Sequence, residues 1–387
     1  MIKLTPPMGW NSWNTFGNDI SEGLILETAD KMVENGLLEA GYEYLVIDDC
    51  WSEKMRDGQG RLVPDSVKFP HGMKYVADYV HSKGLKFGMY SCAGFFTCAG
   101  FPGSYQYEFI DAETFAQWGV DYLKYDNCYK PASTTGRLLY HTMGMALENC
   151  GRDIMFAACN GGLDGAPEWM KETGAHLWRS TTDLFDNWES IKRVMGRQLK
   201  LQPYNGVGCF NDMDMLVVGM HGRGNVGFGG CTVTEYRTHF SAWAMLNSPL
   251  MLGCDVRNMS EEAKAIVTNQ DIIAINQDPA GRQPSLIMGD SDSEDGGQMQ
   301  VWFKHLEGGD LAVGMFNMTD SVETPWFGLA DLGLSHIAGR ALEITDLWEG
   351  KVIGKFYDLF RTRIEPHDCR MLRCRLVPAD GDYASPF

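Results

Sequence analysis

The first 275 or so residues of this 387-residue chain alternate eight times between a short hydrophobic run and a segment with helical spacing. Strands that alternate with helices form parallel sheets with right-handed crossovers. Eight such units predict a closed (β/α)8 TIM barrel. The spacing predicts one of the helices at residues 21–38, and it predicts the seventh strand at residues 207–210, followed by a loop at residues 211–215. The alternative is an open doubly wound sheet, which is weakened because no Gly-x-Gly-x-x-Gly turn follows the first strand.

The hydrophobic pattern changes after residue 279. Residues 299–303, 311–315 and 372–376 alternate between apolar and polar side chains, with turn signals between such runs. This pattern predicts a small antiparallel β-sandwich. The acidic, glycine-rich segment 290–297 is expected to be an exposed loop. We therefore expect two domains, the barrel at residues 1–282 and the C-terminal β-sandwich at residues 283–387.

Composition excludes several classes of partner. The net charge of -18 and the pI near 4.9 argue against nucleic acid and against an anionic membrane surface. The N-terminal residues contain no apolar run typical of a signal peptide, and no stretch is long enough to span a membrane. The 11 cysteines are scattered without a Cys-x-x-Cys pair, which favours reduced core residues. These features predict a cytoplasmic protein.

One stretch, residues 120–126, reads as a buried strand that ends in a charge. Lys124 and Asp126 are two residues apart, so a strand places them on the same face. We expect the ammonium group to lower the pKa of Asp126 and keep it ionised as a nucleophile. The alternative is a partly exposed ion pair that ends the strand.

Several other predicted strands also end in polar or aromatic residues, and active sites of barrels lie at these carboxyl ends. Carboxylates can accept hydrogen bonds from sugar hydroxyls while a tryptophan covers the apolar face of the ring. Two carboxylates can also supply the acid and base of glycoside hydrolysis, with Asp183 as the acid because it is predicted to face an ionised partner. The predicted cup contains Trp13, Asp48, Asp49, Tyr90, Lys124, Asp126, Arg179, Asp183 and Asp214.

Each of these residues also has a purely structural explanation. Asp48 and Asp49 could cap a helix, Trp13 could belong to the core, and Arg179 could simply neutralise Asp183. Residues 211–214 could form a turn. Paired aspartates can also bind a metal, but the cup lacks a His-x-His or clustered Glu/His set, and Lys124 would repel a cation. The sequence therefore predicts no metal site.

Eight ordered motifs resemble the melibiase-type α-galactosidases of glycoside hydrolase family 27. They run from residue 8 to about residue 280 in the order expected for that family. The weaker C-terminal part falls where the family carries a β-sandwich. The motifs are residues 8–13 (MGWNSW), 42–51, 69–72, 80–85, 97–104, 124–126 (KYD), 211–215 (NDMDM) and 274–279.

The resemblance implies a role for each matching residue. Asp126 matches the nucleophile and Asp183 the acid/base of a retaining mechanism. Arg179 and Asp214 match residues near the 2-hydroxyl, and Cys98 and Cys128 match a pair that forms a disulfide beside the pocket of secreted relatives. No metal or organic cofactor is implied. The residues that match those holding the galactose ring are Trp13, Asp48, Asp49, Tyr90 and Lys124.

The chain departs from the family pattern at several positions. Where secreted relatives have Cys-Glu-Trp or Cys-Ser-Trp after the fifth strand, this chain has Cys159 followed by Asn160 and two glycines. Asn160 could bind a 2-hydroxyl, but the glycines open space there. Met213 replaces a usual proline. Asp48 and Asp49 are intact, which favours galactose over a pentose.

The sequence thus predicts an exo-acting retaining α-galactosidase for terminal α-linked galactose on small carbohydrates. The alternatives are an α-N-acetylgalactosaminidase or a β-L-arabinopyranosidase on the same scaffold, and a non-catalytic sugar-binding barrel. The last requires a missing nucleophile or acid, whereas both aspartates are present. Relatives are often dimers or tetramers, so the resemblance also implies a homo-oligomer.

Overall fold

The computed structural model of the protein describes residues 5–290, 296–335 and 339–381. Of the predicted loop at 290–297, residues 291–295 lie outside the described residues. The predicted fold, a barrel of parallel strands followed by an antiparallel β-sandwich, is confirmed. The predicted boundary at 282/283 falls between the last helix, Gln270–Asn276, and the strand Ser285–Met288.

Eight strands form one parallel sheet in the order β7-β6-β5-β4-β3-β2-β1-β8. Leu216, just after β7, forms a parallel bridge with Leu252 of β8, and this bridge closes the sheet into a ring. The strands are β1 (Met8–Asn11), β2 (Tyr44–Val46), β3 (Lys86–Cys92), β4 (Tyr122–Asp126), β5 (Met155–Ala158), β6 (Leu177–Arg179), β7 (Phe210–Asp212) and β8 (Leu250–Leu252).

Helices surround this ring, and their ends follow local capping chemistry. The side chain of Ser21 accepts a hydrogen bond from the backbone N–H of Leu24 and starts α2. The helices are α1 (Trp13–Phe16), α2 (Glu22–Glu34), α3 (Leu37–Ala40), α4 (Gly72–Ser82), α5 (Glu108–Trp118), α6 (Gly136–Asn149), α7 (Ala166–Trp169), α8 (Trp188–Gln198), α9 (Val233–Met245), α10 (Glu261–Val267) and α11 (Gln270–Asn276). Short 3-10 turns lie at Met170–Thr173, Gln202–Tyr204, Val256–Asn258, Glu307–Gly309 and Ala330–Leu332.

Two element boundaries differ from the sequence prediction. The helix expected to run to residue 38 breaks at Gly36, whose φ of 74° is easily reached only without a side chain. The seventh strand was expected at 207–210 and instead spans Phe210–Asp212. Gly208, at φ 92°, makes a tight turn that a Gly206–Cys209 bridge closes, so the strand starts later and contains two residues that were predicted to be loop.

The barrel interior is a packed core below the carboxyl ends of the strands. Inward-facing side chains from β2, β4, β5, β6, β7 and β8 form one cluster. Because this cluster fills the ring, a ligand can enter only from the carboxyl end. Its members are Tyr44, Val46, Tyr122, Met155, Ala157, Leu177, Phe210, Met215 and Met251.

The C-terminal domain pairs its strands antiparallel. A six-stranded sheet has the order β14-β13-β16-β11-β10-β9, and β12 pairs with β15 in a second sheet. These strands enclose a separate hydrophobic core. The strands are β9 (Ser285–Met288), β10 (Met299–His305), β11 (Leu311–Asn317), β12 (Trp326–Gly328), β13 (Arg340–Asp346), β14 (Lys351–Phe356), β15 (Leu359–Arg361) and β16 (Cys369–Pro378).

A buried lysine of the C-terminal domain reaches into the barrel. Lys304, on β10, donates hydrogen bonds to Oδ1 of Asn247 at 2.5 Å and to the carbonyl of Ile275 at 2.8 Å. Burial lowers the pKa of Lys304 to about 7, although Asp278 opposes the shift. Nearby, Trp348 Nε1 donates to Ser241 Oγ of α9 at 2.9 Å. Polar contacts therefore join the two domains.

Candidate active site

One cavity of about 430 Å³ opens at the carboxyl ends of the barrel strands. The sequence predicted residues from several separate strand ends, and the fold brings them to one place. All twelve predicted site residues line this cavity: Trp13, Asp48, Asp49, Tyr90, Cys98, Lys124, Asp126, Cys128, Asn160, Arg179, Asp183 and Asp214.

Asp48 and Asp49, just after β2, are buried and oriented by hydrogen bonds. Oδ2 of Asp48 accepts from Lys124 Nζ at 2.7 Å and from Asn11 Nδ2 at 2.8 Å. Oδ2 of Asp49 accepts from the backbone N–H of Ala99 at 2.9 Å. Burial raises the pKa of Asp49 above its usual range, and the backbone donors oppose this. Both carboxylates are thus held at the base of the cavity.

Lys124 is paired with Asp48, which differs from the predicted pairing with Asp126. In the parallel register Lys124 of β4 lies beside Tyr90 of β3. Burial disfavours the charge on Lys124, but the charge of Asp48 outweighs it, so the pKa of Lys124 is raised. The lysine therefore stays charged and presents an ammonium group to the cavity.

Asp126 ends β4 and its carboxylate is fixed at both oxygens. Oδ1 accepts from the backbone N–H of Asn127 at 2.8 Å, and Oδ2 accepts from the Tyr90 hydroxyl at 3.1 Å. Burial raises the pKa of Asp126, and Lys124 lowers it only in part. The predicted net lowering of this pKa is therefore wrong, because the removal of water outweighs the attraction of an ammonium group bound elsewhere.

Asp183 lies on the loop after β6, and its side chain is 81% exposed. Its Oδ1 accepts from Arg179 Nη2 at 2.8 Å. The same guanidinium group binds Oδ2 of Asp214, which also accepts from the backbone N–H of Leu184 at 2.7 Å. Burial raises the pKa of Asp214, and Arg179 opposes the shift. Asp214 is thus a buried support that positions Arg179, and Arg179 in turn holds Asp183.

Trp13 covers the top of the barrel interior. It is partly buried and packs against the interior cluster. Its backbone N–H donates to Oδ1 of Asn11 at 2.9 Å. Because Asn11 also binds Asp48, one asparagine side chain links the tryptophan to the carboxylate. An indole ring in this place can cover the apolar face of a bound sugar.

A disulfide joins Cys98 and Cys128, the pair that the resemblance implied. It connects the loops that follow β3 and β4 at the edge of the cavity. Together with Asp126, these sulfurs lie within 4.8 Å of one another, a spacing compatible with a metal ion. Sulfurs joined to each other are not thiolates, however, so this group does not offer the thiolate ligands that such a metal site requires. The other nine cysteines are free.

Asn160 is buried and its amide is engaged by its own loop. Nδ2 donates to the carbonyl of Leu163 at 3.0 Å, and Oδ1 accepts from the N–H of Gly162 at 3.1 Å. The predicted hydrogen bond from Asn160 to a 2-hydroxyl would therefore compete with these contacts. A side chain at Gly162 would lie 2.8 Å from the carbonyl of Ser180, so no larger residue fits there.

Sequence reasoning missed several residues that line the cavity or support it. Cys159 follows β5, and its sulfur accepts from Arg179 Nη1 at 3.8 Å. Asn11 ends β1 and orients Asp48. Both stand at strand ends, the signal that identified the other residues. Further lining residues carry no such signal, because Asn14 lies in α1 and the others come from loops: Asn127, Leu163, Thr182, Leu184, Met215 and Val226.

A carboxylate-rich cup at the carboxyl ends of a (β/α)8 barrel, with an indole over its floor, defines a barrel enzyme of the glycoside hydrolase type. Comparison with known families agrees. The family described as alpha galactosidase A matches residues 5–278, and the alpha galactosidase C-terminal beta sandwich domain matches residues 296–374. The chain belongs to the melibiase family of α-galactosidases and is a glycoside hydrolase.

Relatives match over nearly the whole chain. An α-galactosidase from Cyamopsis tetragonoloba is 43% identical over 371 residues, which is 96% of this chain and 86% of that protein. The structure of α-galactosidase I from Mortierella vinacea superposes with a TM-score of 0.89 at 33% identity and covers 99% of each chain. A β-L-arabinopyranosidase from Geobacillus stearothermophilus superposes with a TM-score of 0.86 at 26% identity and covers 98% of each chain. Among the described residues, no helix is long and apolar enough to cross a membrane.

Proposed function

We propose that this protein is an exo-acting α-galactosidase that releases terminal α-linked galactose with retention of configuration. The observation that carries the proposal is the contrast between two carboxylates in one cavity. Asp126 is fixed at both oxygens, whereas Asp183 is exposed and held by one arginine. A nucleophile needs a fixed position, and an acid/base needs access to the leaving group and then to water.

The reaction follows from these two positions. The carboxylate of Asp126 attacks the anomeric carbon while the carboxylic acid of Asp183 protonates the departing glycosidic oxygen. The product of this step is a covalent galactosyl ester on Asp126. Asp183, now a carboxylate, removes a proton from water, and that water attacks the anomeric carbon and releases galactose with its original configuration.

The remaining cavity residues support galactose as the bound sugar. Asp48 and Asp49 offer carboxylate oxygens to hydroxyl groups, and Lys124 offers an ammonium group beside them. Trp13 supplies an apolar face next to these polar groups. The packed barrel interior closes the cavity below, so the bound sugar must be a chain end. This geometry supports exo action.

The space beside C2 of the bound sugar decides whether the site accepts galactose, with a hydroxyl there, or N-acetylgalactosamine, with an acetamido group. Asn160 directs its amide into its own loop, and Gly161, which lines the cavity, adds no side chain. This opening favours α-N-acetylgalactosaminidase as the second candidate. The similar arabinopyranosidase makes a pentoside the third candidate, although Asp48 and Asp49 offer two acceptors for hydroxyls beyond C3.

Hydrolysis of a panel of nitrophenyl glycosides would test the assignment. We expect turnover of the α-galactoside to exceed that of the α-N-acetylgalactosaminide and the β-L-arabinopyranoside. Proton NMR of the first product formed should show α-galactose before mutarotation. No turnover of the α-galactoside would contradict the proposed activity, and β-galactose as the first product would contradict retention.

A further inference from the structure

Two phenylalanine rings lie outside the cavity on the side of Asp183. Phe185 and Phe228 meet edge to face, with ring centroids 5.0 Å apart and an interplanar angle of 83°. Phe228 is 59% exposed. A large apolar side chain held in solvent loses the stabilisation that burial would give it. Single exposed apolar side chains are nevertheless common on protein surfaces, so what distinguishes Phe228 is its place beside the cavity.

The segment that carries Phe228, residues 221–230, is held tightly although half of it is glycine. A Cβ atom at Gly227 would lie 2.4 Å from the carbonyl oxygen of Gly222, and one at Gly224 would lie 2.8 Å from that of Asn14. Glycine at these positions thus permits close packing of backbone. The backbone N–H of Asn225 donates to the Asn14 carbonyl at 2.7 Å.

The base of this segment is anchored by Asp186, which is buried. Its Oδ2 accepts from the N–H of Gly222 at 2.6 Å, and its carboxylate also accepts from the Tyr236 hydroxyl. The backbone N–H of Asp186 donates to the carbonyl of Val226 at 3.0 Å. The segment and the loop after β6 therefore form one unit, and Phe228 has a defined position before any ligand binds.

This unit borders the cavity beside the acid/base. Leu184 and Val226 line the cavity, and each lies one or two residues from a ring of the phenylalanine pair. Asp183 is two residues before Phe185. A group that Asp183 protonates must lie against Asp183, so the leaving group of a bound galactoside emerges on this side.

We propose that Phe228, supported by Phe185, is the stacking surface for the first sugar of the leaving group. This inference rests on the proposed function and extends it. The apolar face of a pyranose ring would lie on the exposed face of Phe228. The substrates that this favours are oligosaccharides in which galactose is linked to another pyranose, rather than galactosides of small alcohols.

The test compares two substrates that differ in the leaving group. The leaving group of melibiose is glucose, whereas the leaving group of α-galactosyl fluoride is fluoride, which has no sugar ring. We expect Phe228→Ala to lower kcat/KM on melibiose about fivefold, which is the kinetic equivalent of one aromatic contact. Hydrolysis of α-galactosyl fluoride and inhibition by free galactose should change less than about twofold. Phe228→Tyr retains the ring and should keep the rate on melibiose.

Phe96 offers a matched control on another part of the rim. It is 52% exposed and packs edge to face with Tyr129, with centroids 6.0 Å apart, beside the disulfide. We expect Phe96→Ala to affect both substrates equally. The proposal is overturned if Phe96→Ala shows the selective loss and Phe228→Ala does not. It is also overturned if Phe228→Ala lowers the rates on both substrates alike, because the residue then shapes the galactose site. Wild-type protein that cleaves neither substrate would instead overturn the proposed function, and this inference with it.

Discussion

Nζ of Lys124 lies 2.7 Å from Oδ2 of Asp48, so the lysine of β4 is bound to a carboxylate that follows β2. The sequence alone places Lys124 beside Asp126, because both face the same way on one strand. Spacing along a strand cannot show which neighbouring strand supplies a closer partner. The pairing frees Asp126 from a direct ion pair and leaves its carboxylate to Tyr90 and a backbone N–H.

Replacing Asp126 by alanine should abolish turnover while the protein stays folded. We expect kcat on a nitrophenyl α-galactoside to fall by more than about a thousandfold, because the covalent intermediate cannot form. An aspartate side chain carries little apolar area, so its removal costs little hydrophobic stabilisation. Asp78→Ala, at an exposed aspartate of α4, is the matched control and should keep full activity. Substantial activity in Asp126→Ala would refute the nucleophile assignment.

Replacing Asp183 by alanine should make the rate depend strongly on the leaving group. A dinitrophenyl galactoside needs little protonation to depart, whereas melibiose needs an acid. We expect the loss in kcat/KM on melibiose to exceed the loss on the dinitrophenyl galactoside by at least about tenfold. The comparison of the two substrates within one variant cancels differences in folding. Equal losses would argue against Asp183 as the acid.

The stability of Lys304→Met relative to the wild type should be greatest at low pH and should decrease as the pH rises above 7. The pKa of Lys304 is about 7 when folded, against an ordinary value of 10.5. At this residue the unfolded chain therefore binds more protons between these values, so the contribution of Lys304 to wild-type stability rises with pH across this window. Each pH unit there changes the difference in unfolding free energy by up to about 1.4 kcal/mol. Denaturation midpoints of both proteins at pH 6 and pH 9 measure the effect. A difference in stability between the two proteins that is the same at both pH values would contradict the prediction.

Loss of the Cys98–Cys128 disulfide should destabilise the barrel near the cavity. The bond closes a loop with a sequence separation of 30, and a loop of this length corresponds to about 3–4 kcal/mol in the chain-entropy description. We expect a double Cys98→Ser, Cys128→Ser variant to unfold at a lower temperature. Dithiothreitol should lower the melting temperature of the wild type and leave that of the variant unchanged. An equal response in both proteins would show that the bond contributes nothing.

The sequence predicted the barrel and most of the cup because both rest on local patterns. A buried strand that ends in a polar residue, as at Asp48 and Asp126, is visible in one short stretch. Parallel topology then carries such ends to the same edge of the sheet. The family resemblance added Cys98, Cys128 and Asn160, which no strand pattern identifies.

The parts that sequence could not show depend on contacts between distant segments. Asp214 has a φ of 82°, and this left-handed turn directs its carboxylate to Arg179 and the N–H of Leu184. The start of β7 depends on the turn at Gly208 rather than on hydrophobicity. The support of Phe228 requires Asn14 and Asp186 to meet the same glycine-rich segment. None of these relationships has a signature within one stretch of residues.

The ring of strands is completed at one position, between Leu216 and Leu252, and Asp214 is only two residues from that position. The segment that closes the barrel therefore also carries Asp214, whose carboxylate binds the guanidinium group of Arg179, and Arg179 binds Asp183. In the proposed mechanism, a bound galactoside contacts both Asp126 at the end of the fourth strand and Asp183 on the loop after the sixth. By linkage, a sugar that binds this cup only in the folded protein stabilises the whole barrel against unfolding.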